Sequence, residues 1–160
     1  MGELPPAAVV LTQVAVPEAL AAACALQRLR VDVVPTPIGA LAWCRDTAEG
    51  APGAVARAVS ALLPGVPVLL LTQRDGQIEA SRWSGGTEGT VMSPGLVLDG
   101  APAVVEQLLL GQVDAEAQPG AVTSVGMSRW RATRTLAAVS RATRRAARDA
   151  GRAGGPDRSA

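Results

Sequence analysis

The sequence has 160 residues, 48% of them hydrophobic, which is enough to build one domain around an apolar core. It contains no His and no Lys, which excludes histidine-based nucleophile triads, histidine-containing zinc sites, Schiff-base lysines and the lysine of P-loop nucleotide sites. The net charge of +1 is the sum of two parts of opposite charge. Residues 1–120 carry 12 acidic residues and 6 arginines, whereas residues 121–160 carry 2 acidic residues and 9 arginines.

The first half of the chain alternates between strand and helix patterns. Short apolar, β-branched runs are typical of buried strands, and apolar residues at helical spacing are typical of amphipathic helices. Pro17 and Glu18 favour the start of a helix, and Pro64 ends one. In chain order, the pattern predicts a strand at 8–14, a helix that opens at 16–18 and closes at 28–30, strands at 31–34 and 40–45, and a helix between the loop 46–52 and Pro64.

The next part of the chain contains the strongest hairpin signal, Asp75-Gly76, between two strand-like runs. Residues 66–73 are continuously apolar up to their polar end, which predicts a central strand, and the alternation over 77–83 predicts an edge strand. In chain order, the remaining expectations are a Gly-, Ser- and Thr-rich loop at 84–95, a short sixth strand at 96–98 and a helix at 102–110.

This order of elements predicts an α+β fold. The best fit is a two-layer sandwich of a mainly antiparallel sheet with helices on one face, in the ferredoxin-like βαββαβ arrangement. The alternative is a small doubly wound α/β sheet, in which residues 31–45 form one bent strand. The predicted organisation is a core domain at 6–112, a polar linker at 113–127 and an Arg-rich helical or disordered tail at 128–160.

Two predicted strands end in the same tripeptide, Leu-Thr-Gln, at 11–13 and 71–73. If both strands ended at one side of the sheet, their polar side chains could line a ligand site together with the glycine-rich loop. The loop fits neither the dinucleotide nor the P-loop pattern, because it does not open a helix and carries Glu88 in its middle. The candidate ligand-binding residues are Thr12, Gln13, Thr72, Gln73, Gly85 and Gly86.

The two cysteines, Cys24 and Cys44, lie in apolar surroundings and form neither a CxxC motif nor a metal-binding pattern. Buried free thiols are therefore expected, with a disulfide as the less favoured alternative. Lys, Asn, Phe and Tyr are all absent, and their codons are poor in G and C, so a GC-rich coding sequence explains this part of the composition.

The C-terminal segment 128–151 is rich in helix formers and lacks Pro, which predicts an amphipathic helix. Five arginines of this part of the chain cluster in one sector, with leucine, valine and alanine side chains on the opposite side. The candidate partner-binding residues in that sector are Trp130, Arg134, Arg141, Arg145, Arg148 and Arg152. The alternatives are a solvated tail, a phosphate-binding segment for nucleic acid, and a helix that docks on an acidic protein surface.

The sequence therefore predicts a non-catalytic partner-binding or regulatory domain whose Arg-rich C-terminal segment engages an acidic surface of a protein or a nucleic acid. One alternative is a small-molecule-binding domain or small enzyme with a site at the strand ends, and another is a structural subunit of a homo-oligomer. No cofactor, metal or catalytic residue is predicted. Membrane binding is disfavoured because the apolar helix face is mostly alanine. The N-terminus lacks the basic start of a signal peptide, so a cytoplasmic location is expected.

Overall fold

The apolar runs of the sequence form one open, seven-stranded sheet in the computed structural model, which describes residues 4–153. The strands are β1 (Ala7–Leu11), β2 (Val31–Val34), β3 (Leu41–Cys44), β4 (Val68–Arg74), β5 (Gln77–Ser84), β6 (Thr87–Met92) and β7 (Val122–Thr123). Their order is β6-β5-β4-β1-β3-β2-β7, and each neighbouring pair is antiparallel. The described helices are α1 (Pro17–Leu26), α2 (Ala51–Leu62), α3 (Pro94–Asp99), α4 (Ala103–Leu109) and α5 (Arg129–Ala153).

The predicted α+β class and the antiparallel sheet are confirmed. Residues 31–45 form the antiparallel hairpin β2–β3, so the doubly wound alternative with one bent strand is wrong. The hairpin at Asp75-Gly76 is also confirmed, because both residues adopt the positive φ angles of a tight turn between β4 and β5.

Helices cover both faces of the sheet, which differs from the predicted two-layer sandwich. Val10 lies in an apolar cluster with α1 and α2, whereas its neighbour Val9 lies in a second cluster with α4. β1 is buried along its whole length, and a strand that is apolar on both faces requires cover on both. The helix near 102–110 was predicted, but its apolar pattern does not show which face of the sheet it covers.

Three local predictions between residues 77 and 98 are wrong. Residues 87–92 form β6 and not a loop, so β6 lies at the edge of the sheet and β5 lies inside it. Gly85 and Gly86 have positive φ and form the hairpin turn that joins these two strands. Residues 96–98 belong to helix α3 and not to a strand, because Pro94 occupies the first turn and starts a helix there.

The segment 113–127 follows the sheet and contributes β7, which pairs with β2. The Ser124 hydroxyl donates a hydrogen bond to the Leu29 carbonyl (2.7 Å) and accepts one from the Val31 amide (2.9 Å). This returns the chain to the end of α1, where α5 begins. Residues 154–160 of the predicted tail lie outside the described residues. Between residues 4 and 153, no helix is both long and apolar enough to cross a membrane.

Gly39 permits a close approach of two backbone segments beside β1. Its φ is 132°, and a Cβ there would lie 2.7 Å from the Gln13 Cα and also collide with the Thr12 carbonyl. The adjacent Ala40 amide donates a hydrogen bond to the Val14 carbonyl over 2.8 Å, so neither segment can retreat without losing backbone pairing.

We expect Gly39→Ala to lower the free energy of unfolding by about 3 kcal/mol, measured by urea denaturation, because backbone strain and a steric clash add. Gly65→Ala is the matched control, since Gly65 also has positive φ but nothing lies within 4 Å of its Cβ position. The free energy of unfolding of the control should fall by only about 1 kcal/mol. Equal losses in the two variants would contradict this account of Gly39.

Candidate functional site

Helix α5 is attached to the domain through its first half. The Ser128 hydroxyl accepts a hydrogen bond from the Arg131 amide and caps the helix start. Ala132 is fully buried against α1, and Leu136 and Val139 are half-buried one and two turns further on. These two side chains close an apolar cleft of about 370 Å³ between α1, α2 and α5.

The second half of α5 extends away from the domain. Every residue from Arg141 to Arg152 is exposed, which contrasts with the buried or half-buried positions that recur through the first half. The helix carries eight arginines and one aspartate. No arginine of α5 forms a salt bridge with another residue in the described range 4–153. The positive charge of α5 is therefore not neutralised by the acidic part of its own chain.

The six predicted partner-binding residues lie together on α5. At 100° per residue they occupy a sector of about 60°, directly opposite the buried Ala132. The sector extends for about 33 Å, from Trp130 near the base to Arg152 near the described end. The Arg134 guanidinium lies over the exposed Trp130 ring, 4.5 Å from its centroid. We call these residues the basic face: Trp130, Arg134, Arg141, Arg145, Arg148 and Arg152.

The predicted strand-end residues do not come together. β1 and β4 are antiparallel, with Leu11 opposite Leu69 and Ala7 opposite Gln73. The two Leu-Thr-Gln segments therefore lie at opposite ends of this pair of strands. Gln13 lies five residues along the chain from Ala8, the partner of Thr72, which is about 17 Å in extended backbone. Exposed Gln13 therefore lies far from half-buried Thr72. Antiparallel pairing, which the repeated tripeptide could not reveal, is the reason for this separation.

The buried and half-buried members of the predicted strand-end site include Thr12, Gln73 and Gly86, which have structural partners. The Thr12 hydroxyl donates to the Ala40 carbonyl over 2.6 Å. The Gln73 side-chain amide donates to the Pro5 and Leu109 carbonyls and accepts from the Gly76 amide. The Gly86 amide in the β5–β6 turn donates to the Ser60 hydroxyl. These bonds join loops and helices to the sheet.

A different polar cluster, which the sequence did not predict as a site, lies on the α4 side of β2 and β3. Asp32 is 3% exposed, and its carboxylate accepts two hydrogen bonds from Arg45, from Nε over 3.0 Å and from Nη2 over 2.8 Å. The hydrogen bond to Asp32 raises the pKa of the Arg45 guanidinium above its ordinary value. One signal was present in the sequence: Asp32 interrupts the apolar strand Val-Asp-Val-Val.

The structure shows no potential metal centre in the part of the chain that it describes, since no group of three or more His, Cys, Asp or Glu side chains comes together there. Cys24 and Cys44 are free, buried thiols in the cluster between the sheet and α1 and α2, as predicted. Burial raises the pKa of each thiol to about 12, so neither is a ready nucleophile at neutral pH.

No family model, curated protein or solved structure matches this chain.

We expect both thiols to resist a thiol-specific reagent in the folded protein at pH 8 and to react when urea unfolds it. Because the folded state disfavours the thiolate, stability is intact below the ordinary thiol pKa near 9 and falls as the pH rises towards 12. The chain has no Tyr or Lys, so no other side chain is expected to titrate in that window. Rapid labelling of the folded protein, or stability that is unchanged between these pH values, would contradict the burial of the thiols.

Proposed function

We propose that the protein is a non-catalytic binding module. Its helix α5 binds the phosphates of a nucleic-acid backbone. The observation that carries this proposal is the geometry of the basic face, which points directly away from α1 while the second half of α5 is free of the domain. Such a helix can approach a large polyanion without first leaving its own fold.

The chemistry of the basic face favours phosphates over an acidic protein surface. Protein interfaces draw most of their binding energy from a few residues, chiefly Trp, Tyr and Arg, that pack in fully desolvated pockets. Beyond Val139, α5 offers only alanine as apolar contact area, and its single aromatic side chain, Trp130, lies at the base of the helix with Arg134 over one face of its ring. Phosphate contacts need no apolar anchor, since guanidinium groups bind phosphate oxygens through paired hydrogen bonds.

The spacing of the arginines suits a continuous array of phosphates. Arg141, Arg145, Arg148 and Arg152 follow one another at three or four residues, which gives a step of about 5 Å along the helix. A helix fits the major groove of duplex DNA, whose phosphates attract such a stripe without regard to sequence. We therefore expect binding with little base discrimination.

The domain that carries this helix has an order of strands that supports a finer fold assignment. The first four strands lie in the order β4-β1-β3-β2, with α1 and α2 on one face. We propose a ferredoxin-like class for this part of the chain, within the predicted organisation of a core at 6–112, a connecting segment at 113–127 and a basic tail at 128–160.

The full-length chain should bind a fluorescent 20-base-pair DNA duplex in an anisotropy titration with a steep dependence on salt. Five arginines on the basic face predict a log–log slope of about −4.5, which is roughly a 500-fold loss of affinity between 50 and 200 mM salt. The triple variant Arg141→Gln/Arg145→Gln/Arg148→Gln leaves two of the five arginines. Its log–log slope should become shallower, at about −1.8, which corresponds to only roughly a tenfold loss of affinity over the same range.

The matched control carries the same change of charge on the domain, at three exposed arginines: Arg28→Gln/Arg57→Gln/Arg82→Gln. Its slope should equal that of the unmodified protein. Equal slopes for the α5 variant and the unmodified protein would contradict the proposal. Poly-glutamate that binds as tightly as the duplex would favour an acidic protein partner instead, and salt-sensitive self-association without DNA would favour a second copy of this chain.

A further inference from the structure

A second concave site lies on the opposite side of the sheet from α1 and is independent of the basic face. It is an open pocket of about 600 Å³, between the surface of β2 and β3 and the chain that follows α4. Its floor includes Asp32, Trp43 and Arg45, and its wall includes Asp114 and Glu116. The volume lies in the range of natural small-molecule sites.

Arg45 is fixed on the floor of this pocket by a buried carboxylate. Its two hydrogen bonds to Asp32 use Nε and Nη2, and a longer one runs from Nη2 to the Thr123 hydroxyl. Among the residues that the structure describes, the Nη1 amino group has no hydrogen-bond partner. A guanidinium held along one edge is oriented in advance for a carboxylate on another edge, so little side-chain freedom is lost on binding.

The opposite wall supplies negative charge close to Arg45. The Glu116 Oε2 atom lies 3.9 Å from Arg45 Nη2, which is too far for a hydrogen bond, and the Glu116 side chain is 74% exposed. Asp114 also lines the pocket, and exposed Arg30 adds a second cation to the lining. The pocket thus presents positive and negative groups to one small volume.

The balance of these charges separates three classes of ligand. Asp32, Asp114 and Glu116 outnumber Arg30 and Arg45, so a simple anion meets net negative charge. A simple cation finds Glu116 and Asp114 but leaves the outer edge of Arg45 without a partner. A zwitterion satisfies both walls, because its carboxylate can bind Arg45 while its ammonium group binds Glu116.

The remaining lining selects the non-polar part of the ligand. Trp43 is half-buried and lies beside the ion pair, and half-buried Val113 beyond the end of α4 contributes apolar surface. Aromatic and aliphatic side chains beside a few convergent polar groups are typical of sites for small organic molecules. We propose that this pocket binds a free α-amino acid with an aromatic or aliphatic side chain, its carboxylate on Arg45 and its ammonium group on Glu116.

The test is isothermal titration of the full-length chain with three matched probes: L-phenylalanine, phenethylamine, which lacks the carboxylate, and 3-phenylpropanoate, which lacks the amino group. L-leucine with 3-methylbutylamine and 4-methylpentanoate repeats the comparison for an aliphatic side chain. At least one amino acid should bind with a Kd below about 1 mM, and both of its truncated analogues should bind at least tenfold more weakly.

Glu116→Gln should weaken binding of the amino acid about tenfold and leave any weak binding of the matching carboxylic acid unchanged or stronger. Glu116 is exposed, so this substitution spares the buried ion pair, and Glu88→Gln on the β6 edge is the matched control that should leave binding unchanged. Three outcomes would overturn the proposal: amines that bind as tightly as the amino acids, equal binding by the Glu116 variant, or no binding by either amino acid at about 10 mM. If neither amino acid binds, the role of the charged groups is structural, to hold residues 114–116 against the sheet.

Discussion

The burial of β1 on both of its faces is the constraint on which the other features of the molecule depend. β1 pairs with β3 and β4, and its five residues are all buried. One face requires α1 and α2, and the other requires α4 and the chain that follows it. That following chain forms the wall of the charged pocket and then returns through Ser124 to the start of α5. Both candidate sites therefore depend on the elements that cover the two apolar faces of β1.

The charge separation along the chain has a structural counterpart. α5 packs on the outer side of α1, and its hold depends on a short row of small or half-buried side chains in its first half: Ala132, Leu136 and Val139. A short isolated helix is marginal in water because its first turn is costly to form. Packing of the first half removes that cost, and the alanines and arginines that follow are strong helix formers. An anchored base therefore allows a basic helix to extend into solvent.

The sequence was informative where a signal is local. The Asp75-Gly76 turn, the buried thiols and the helix at 102–110 each depend on residues near one another in the chain, and each prediction was right. The face covered by α4, the separation of the two Leu-Thr-Gln segments and the pocket around Arg45 depend on strand order, which no local pattern encodes. The edge strand β6 was missed because its glycine-rich, polar sequence resembles a loop. The arginine sector was found because helical spacing alone determines it.

Helix α5 is anchored by its first half, and we propose that it binds through its free half. A residue-resolved NMR titration of the full-length chain with a DNA duplex at low salt tests this most directly. Amide shifts should concentrate between Arg141 and Arg152, with a smaller change at the Trp130 indole, while the Trp43 indole in the pocket stays unchanged. Shifts that concentrate on the sheet or α4, with the amides of α5 unaffected, would contradict the proposal.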